Sequence, residues 1–341
     1  MPVTIADIAA RVKKSPQLVS AVLNGGRSGS KASVATQELV RKAATELGYR
    51  PNAAARAVSM GRFESVGLLL STVTWKSNLR SETLTAITLA LAERELRLTV
   101  CGLTDDILND GGILPTTLHR THADGFLVCY DTAIPDRMRS LLDDLGVPVV
   151  WLNSLHAANC VVPDEEQAGC LVTDHLLALG HRRIAYLDTF PRDPENHFAS
   201  AAKAAGYRAA MKRAGVPPQW ANQHPLRFEE RPGFIHGLLG TSQRPTAIIA
   251  ADGDDDPAGV MYAAQTLGLV VPRDLSLVTI APHVPYLVGL ACTTAVRPVA
   301  DVGREAVAML SRQLASPRQR QPPLRLPFTL AVGATSAAVP S

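Results

Sequence analysis

A chain of 341 residues, 46% hydrophobic against 19% charged, is too long for one ordinary domain and too apolar for wholesale disorder. Its net charge of +3 is unevenly placed: residues 1–62 carry ten Lys/Arg against three acids, which is +7 and leaves −4 for the rest. No signal segment opens the chain and no apolar run approaches the ~18 residues of a membrane span, so a soluble, cytoplasmic protein without a membrane partner is expected. Five cysteines, Cys101, Cys129, Cys160, Cys170 and Cys292, form no CxxC pair. All but Cys160 sit in apolar stretches, which predicts buried, reduced thiols.

In chain order, Thr4 followed three residues later by Asp7 marks a helix start, with Ile5, Ile8, Ala9 and Val12 as its buried stripe. Ser15-Pro16 begins a second helix, whose inner face is Leu18, Val19, Val22 and Leu23 and whose stop is Asn24-Gly25-Gly26. Two short helices so spaced suit a helix-turn-helix, the second helix reading the major groove, although other trihelical bundles share the pattern. Ser33 caps a third helix with Val40, Ala43, Ala44 and Leu47 facing inward, and Gly48 ends it. A basic head on a mildly acidic body suits phosphate contact by the head alone. Asn52 can cap an alanine-rich stretch over 52–58 that is too short to be helical alone in water, so it is either a linker or a segment that folds when docked.

From residue 65 strands alternate with helices. Strands are predicted at 66–70, 98–101, 125–129, 147–152, 183–187, 247–251 and 275–280, and helices at 82–95, 136–145, 165–179, 199–214, 257–267 and 299–315. That alternation predicts an all-α head joined to an α/β body of two doubly wound parallel-sheet lobes, with a small molecule held in the cleft at the carboxyl ends of the strands.

Residues 3–9 (VTIADIA), 15–24 (SPQLVSAVLN) and 46–52 (ELGYRPN) resemble the headpiece of the lactose/galactose repressor family of bacterial transcription regulators. Residues 174–184 (DHLLALGHRRI), 205–207 (AGY), 244–248 (RPTAI) and 302–307 (VGREAV) are similar to stretches of the family's body, in the right order. The resemblance implies a headpiece at 1–49, a hinge helix and linker at 50–64, and a periplasmic-binding-protein-like body at 65–341 for effector binding and dimerisation. Within the body it implies a proximal lobe at about 65–162 and 293–322 and a distal lobe at about 163–292 and 323–341. It implies further a homodimer on palindromic double-stranded operator DNA, most simply a repressor, tuned by a carbohydrate-like effector, with no cofactor and no enzymatic activity. The hinge would enter the minor groove with a wedge at Val58, a position where leucine is usual.

DNA contacts are expected from Thr4, Lys13, Lys14, Ser15, Gln17, Ser20, Arg27, Lys31, Asn52, Ala55 and Val58. Lys13-Lys14 replaces the usual glycine and small residue of the turn, and Ala21 the usual recognition-helix arginine. Base reading therefore falls to Gln17, Ser15 and Ser20, with Arg27 or Lys31 from an unusually long loop. Effector contacts carried over from the family are Asn153, Lys203 in place of arginine, Phe228 as an aromatic platform and Asp252 in place of asparagine, while Ala281 stands where an aspartate is usual. A carboxylate and an ammonium over an aromatic face suit a neutral or cationic sugar-like ligand; the alternative is a pocket that no longer binds anything.

Other chemistries fit less well. Residues 26–31 lack GxxxxGK[ST] spacing, and the acidic turn at 252–256 is followed by Pro257 and Ala263 where a calcium loop needs glycine and glutamate. His119 and His122 lack further ligands at metal spacing, so no metal site is expected. A hydrolase would need a nucleophile–base arrangement, and no GxSxG elbow occurs; an exported sugar-binding protein would have a signal peptide and no headpiece.

Overall fold

The computed structural model describes residues 3–23, 32–50, 62–104, 118, 121–144, 146–189, 197–221, 226–251, 255–317 and 319–339. The chain divides into two compact units, Met1–Glu64 and Ser65–Ser341.

The first unit is built from α1 (Ile5–Val12), α2 (Pro16–Leu23) and α3 (Val34–Glu46). Thr4 and Asp7 form a reciprocal capping box: the Thr4 hydroxyl accepts the Asp7 N–H at 3.3 Å and the Asp7 carboxylate accepts the Thr4 N–H at 2.8 Å. Ser33 caps α3 by accepting the Thr36 N–H at 3.4 Å, and Gly48, at φ +68°, lets the chain turn so that Tyr49 N–H returns to the Ala44 carbonyl. Ile8, Val19 and Val40, one from each helix, are fully buried at the centre, with Ala9, Val12, Val22, Ala43 and Ala44 around them. Leu18, Leu23 and Leu47, expected inward, are only half-buried, because a core this small is filled by the valines and alanines.

The second unit holds two six-stranded sheets. The first has the order β13-β5-β4-β3-β1-β2, from β1 (Ser65–Ser71), β2 (Arg97–Leu103), β3 (Gly125–Cys129), β4 (Val149–Leu152), β5 (Cys160–Pro163) and β13 (Leu324–Leu326), all parallel. The second has the order β14-β12-β9-β8-β6-β7, from β6 (Ile184–Leu187), β7 (Gln219–Trp220), β8 (Ala247–Ala250), β9 (Ser276–Ala281), β12 (Thr293–Val296) and the antiparallel β14 (Thr329–Ala331). A hairpin of β10 (Tyr286–Leu287) and β11 (Leu290–Ala291) stands apart. Each sheet changes direction of winding beside its first strand, between β1 and β3 and between β6 and β8, which opens a crevice at the carboxyl ends there.

Helices cover both faces of each sheet, so the strands read as continuous apolar runs. On the first sheet, α4 (Ser81–Ala92) and α10 (Val299–Ala315) pack against Val66, Leu68 and Leu127, and α5 (Asp136–Asp144) against Leu69, Phe126 and Val128. On the second, α6 (Glu165–Ala178) and α7 (Phe198–Arg213) cover one face, and α8 (Arg231–Leu239) and α9 (Asp255–Thr266) the other. Helix α8 has no counterpart among the predicted helices; its Arg-Pro-Gly start puts proline in the first turn, where the missing N–H is harmless. The crossovers between lobes fall after Val296 and after Leu326, later than the implied 293 and 323, because β12 pairs in the second sheet and β13 in the first. The cysteine expectation also needs correction. Cys160 is fully buried, whereas Cys101 and Cys170 are half-buried.

Candidate functional site

In the headpiece, the turn between α1 and α2 presents Lys13, Lys14, Ser15 and Gln17 to solvent, while Val19 and Val22 face inward and Ser20 is half-buried. Lys13 closes α1 with φ 52°, a left-handed conformation costing a non-glycine residue roughly 1–2 kcal/mol. That conformation is why glycine suits the position, and a lysine there sets a cation beside the start of α2. The Ser15 hydroxyl accepts the Leu18 N–H at 3.3 Å and Thr4 is engaged with Asp7, so both residues act first as helix caps. Gln17 is thus the exposed amide on the first turn of α2. Arg27, Lys31, Asn52, Ala55 and Val58 lie outside the described residues.

In the body, polar groups gather where the strands of the two crevices end. On the first lobe, Asp131 follows β3 and Asn153 follows β4; the Asn153 amide donates to Asp131 at 3.1 Å and the Asn78 N–H at 2.8 Å. Burial pushes the Asp131 carboxyl up, opposed by the charge of His197, these hydrogen bonds and Arg297. On the second lobe, Asp188 and Thr189 follow β6: Asp188 accepts from Ser200, and the Thr189 hydroxyl donates to buried Asp256 at 2.6 Å. Arg231, 13% exposed, bridges Asp256 at 3.7 Å, donates to the Thr189 carbonyl at 3.4 Å and lies 5.6 Å over the Phe228 ring. Burial likewise raises Asp256, against the pull of Thr189 and Arg231. His197, the N-cap of α7, bonds the Asn153 carbonyl through Nε2 and so joins the two walls.

The expected effector residues fare differently. Asn153 stands at the strand ends, in a left-handed backbone with φ 54°. Phe228, 70% exposed, offers its ring to solvent. Lys203 is 1% exposed rather than free in the cleft, and its ammonium donates to the Ala251 carbonyl at 3.0 Å, within the second lobe. Arg231 also stands at these strand ends, and the sequence pattern does not single it out; the nearest signal was Phe228, three residues before it. Asp252 lies outside the described residues, and Ala281 is buried at the end of β9.

The three lobe crossovers meet at Glu165, Arg297 and Phe328. The Glu165 carboxylate, 1% exposed, has Arg297 at 3.4 Å, and that guanidinium lies 5.9 Å from the Phe328 ring. Among the described residues no helix is long and apolar enough to cross a membrane.

Residues 4–52 match the family described as bacterial regulatory proteins, lacI family, and residues 173–336 match the periplasmic binding protein-like domain. The chain is 30% identical over 292 residues to the HTH-type transcriptional repressor PurR of Vibrio vulnificus, covering 81% of this chain and 80% of that one. It is 27% identical over 328 residues to the ribose operon repressor of Escherichia coli K12, covering 95% and 96%. In fold it is similar to a lac repressor dimer solved with operator and the anti-inducer ONPF, at TM-score 0.77 and 22% identity over 99% of this chain and 100% of that one. With a matched headpiece, a matched body and relatives of this kind along nearly its whole length, the chain belongs to the lacI family of bacterial regulatory proteins.

Proposed function

We propose that this lacI-family transcription regulator binds palindromic operator DNA as a homodimer through Gln17, Lys13 and Lys14, and that a carbohydrate-like effector in the cleft sets its operator affinity. The observation that carries the DNA reading is the start of α2: an exposed amide on its first turn, preceded by two exposed lysines in the turn from α1, on a helix whose other face is anchored by Val19 and Val22. Residues 1–49 are taken as the headpiece, 50–64 as the hinge with Asn52, Ala55 and Val58 at the minor groove, and 65–341 as the regulatory body. Exposed Leu89 and Val100 on the first lobe, and Tyr262, Tyr286 and Val288 on the second, supply apolar surface for pairing two copies.

For the effector, Asn153 and Asp131 on one wall and Asp188, Arg231 and Phe228 on the other combine carboxylates, amide, guanidinium and an aromatic face. Carboxylates accept from paired hydroxyls, a guanidinium donates to ring and hydroxyl oxygens, and an aromatic face covers a sugar's C–H surface. The ribose operon repressor and a ribose-bound lacI-family regulator from Enterococcus faecium, at TM-score 0.61 and 20% identity over 81% of this chain, support a sugar as ligand class. The protein acts by binding, without catalysis, in the cytoplasm. Footprinting of genomic fragments with the purified protein tests this: protected sites should be inverted repeats, released or tightened by one member of a sugar library. Equal retardation of all fragments overturns the DNA reading, and sugar binding indifferent to Arg231→Ala overturns the effector reading.

A further inference from the structure

A second opening lies in the first lobe, between α5, the start of β4 and the C-terminus of α10. It is a cavity of about 460 Å³ that shares no lining residue with the cleft groups described above. Helix α10 separates the two: Arg297 stands before its first turn, and the cavity takes in Gln313, Pro317, Gln319 and Arg320 at its far end.

The walls are specific. Gln313 is 3% exposed, yet among the described residues its amide Nε2 has no hydrogen-bond acceptor, an unusual state for a buried donor. Arg320, exposed on the rim, has no ion pair or hydrogen bond among the described residues. Trp151 and His156, also in the lining, stack with ring centroids 4.2 Å apart and 25° between planes. Burial and the nearby Arg139 hold His156 down at about 4, so this plate is uncharged at neutral pH. Arg139 also lines the cavity but is shared with solvent-exposed Asp136 at 3.9 Å, and among the described residues Asp143 is the one carboxylate in the lining. The volume falls in the range of small-molecule sites, roughly 300–1,000 Å³.

We propose that this cavity is a second ligand site, for a planar aromatic molecule bearing an oxyanion, with its ring against the Trp151–His156 plate and its oxyanion at Gln313 Nε2 and Arg320. A buried donor without an acceptor is a standing penalty that a bound oxygen removes, and the Arg320 guanidinium in the same lining supplies the charge. A nucleoside monophosphate and an aromatic carboxylate share this chemistry.

Titration calorimetry of the full chain with adenosine monophosphate, benzoate and inorganic phosphate separates them. The expected result is binding of one aromatic oxyanion, one per protomer, with phosphate alone weaker; which probe binds identifies the source. Arg320→Ala and Gln313→Leu should each weaken that binding about tenfold. Gln313→Leu should leave the melting temperature unchanged or raised, because no hydrogen bond is lost. The proposal is overturned if neither aromatic probe binds at millimolar concentration, if phosphate binds as well as they do, or if neither substitution weakens binding. A Gln313→Leu chain that melts lower shows that the amide is satisfied in the empty protein, and overturns it equally.

Discussion

His197, at the start of α7 in the second lobe, bonds through its ring Nε2 to the backbone carbonyl of Asn153, which follows β4 in the first lobe. Because Asn153 also donates to Asp131, one imidazole ties the second lobe to the polar network of the first. Relative motion of the lobes has to break that bond. His197→Ala is expected to remove about 1 kcal/mol from the lobe-closed arrangement. Small-angle scattering of the effector-free protein should show a larger radius of gyration in the variant; an unchanged profile would mean the bond does not restrain the lobes.

Gln17 is expected to read base edges and the adjacent lysines phosphates. Gln17→Ala should cost ~1–3 kcal/mol on operator DNA and nothing on random DNA. Lys14→Ala should weaken both alike and reduce the slope of log affinity against log salt by about 1. Fluorescence anisotropy at several salt concentrations reads both; equal loss on both DNAs for Gln17→Ala rules out its assigned role.

The Glu165 carboxylate is buried with the Arg297 guanidinium at 3.4 Å, its one ion-pair partner among the described residues, where the lobe crossovers meet. Removing that cation leaves a buried charge without its partner, so Arg297→Met should destabilise the body by about 3–5 kcal/mol. The double variant Glu165→Gln with Arg297→Met should recover most of that loss. Urea unfolding of the three chains decides it; a double variant no better than Arg297→Met alone would show the ion pair is not the cause.

Helices α6 and α7 cross through paired glycines. A Cβ at Gly206 would stand 2.0 Å from the Glu166 carbonyl oxygen, and one at Gly169 would stand 2.1 Å from that of Lys203. Both obstacles are backbone, which cannot rotate away, so Gly206→Ala should cost about 1–3 kcal/mol despite the better helix propensity of alanine. Thermal unfolding should show a lowered midpoint with DNA affinity kept at low temperature.

His156 makes stability depend on pH. Its value is 6.5 in the unfolded chain and about 4 in the folded one, lowered by burial and Arg139 and opposed by Asp143. Above 6.5 both states are neutral; below it the unfolded chain takes up a proton that the folded chain refuses, so stability falls between pH 6.5 and about 4. With the ring only half-buried, solvent screening leaves about 1 kcal/mol of this effect. His156→Gln should flatten the acid limb of a stability–pH curve by that amount, and an unaltered limb would refute the assignment.

The helix starts at Thr4, Ser15 and Ser33 and the apolar runs of β1, β3, β6 and β9 were legible in the sequence because their causes are local. A cap joins residues three apart, as Thr4 and Asp7 do, and a strand covered on both faces must be apolar at every position. Family motifs extended that reading to the headpiece, and named Asn153 and Phe228 as candidate effector residues. What lay beyond it depends on residues far apart in the chain. Lys203 was expected at the effector because it stands where the family has an arginine, but its ammonium ends at the Ala251 carbonyl, 48 positions away. Arg231 reached the cleft because α8 packs there, and no periodic signal marks that helix. Gly206 was visible as part of an Ala-Gly-Tyr motif, while its reason, the Glu166 carbonyl of the crossing helix, was not. Local pattern determined the elements; tertiary packing decided which polar groups are buried, which are paired, and which, like the Gln313 amide, are left facing a cavity.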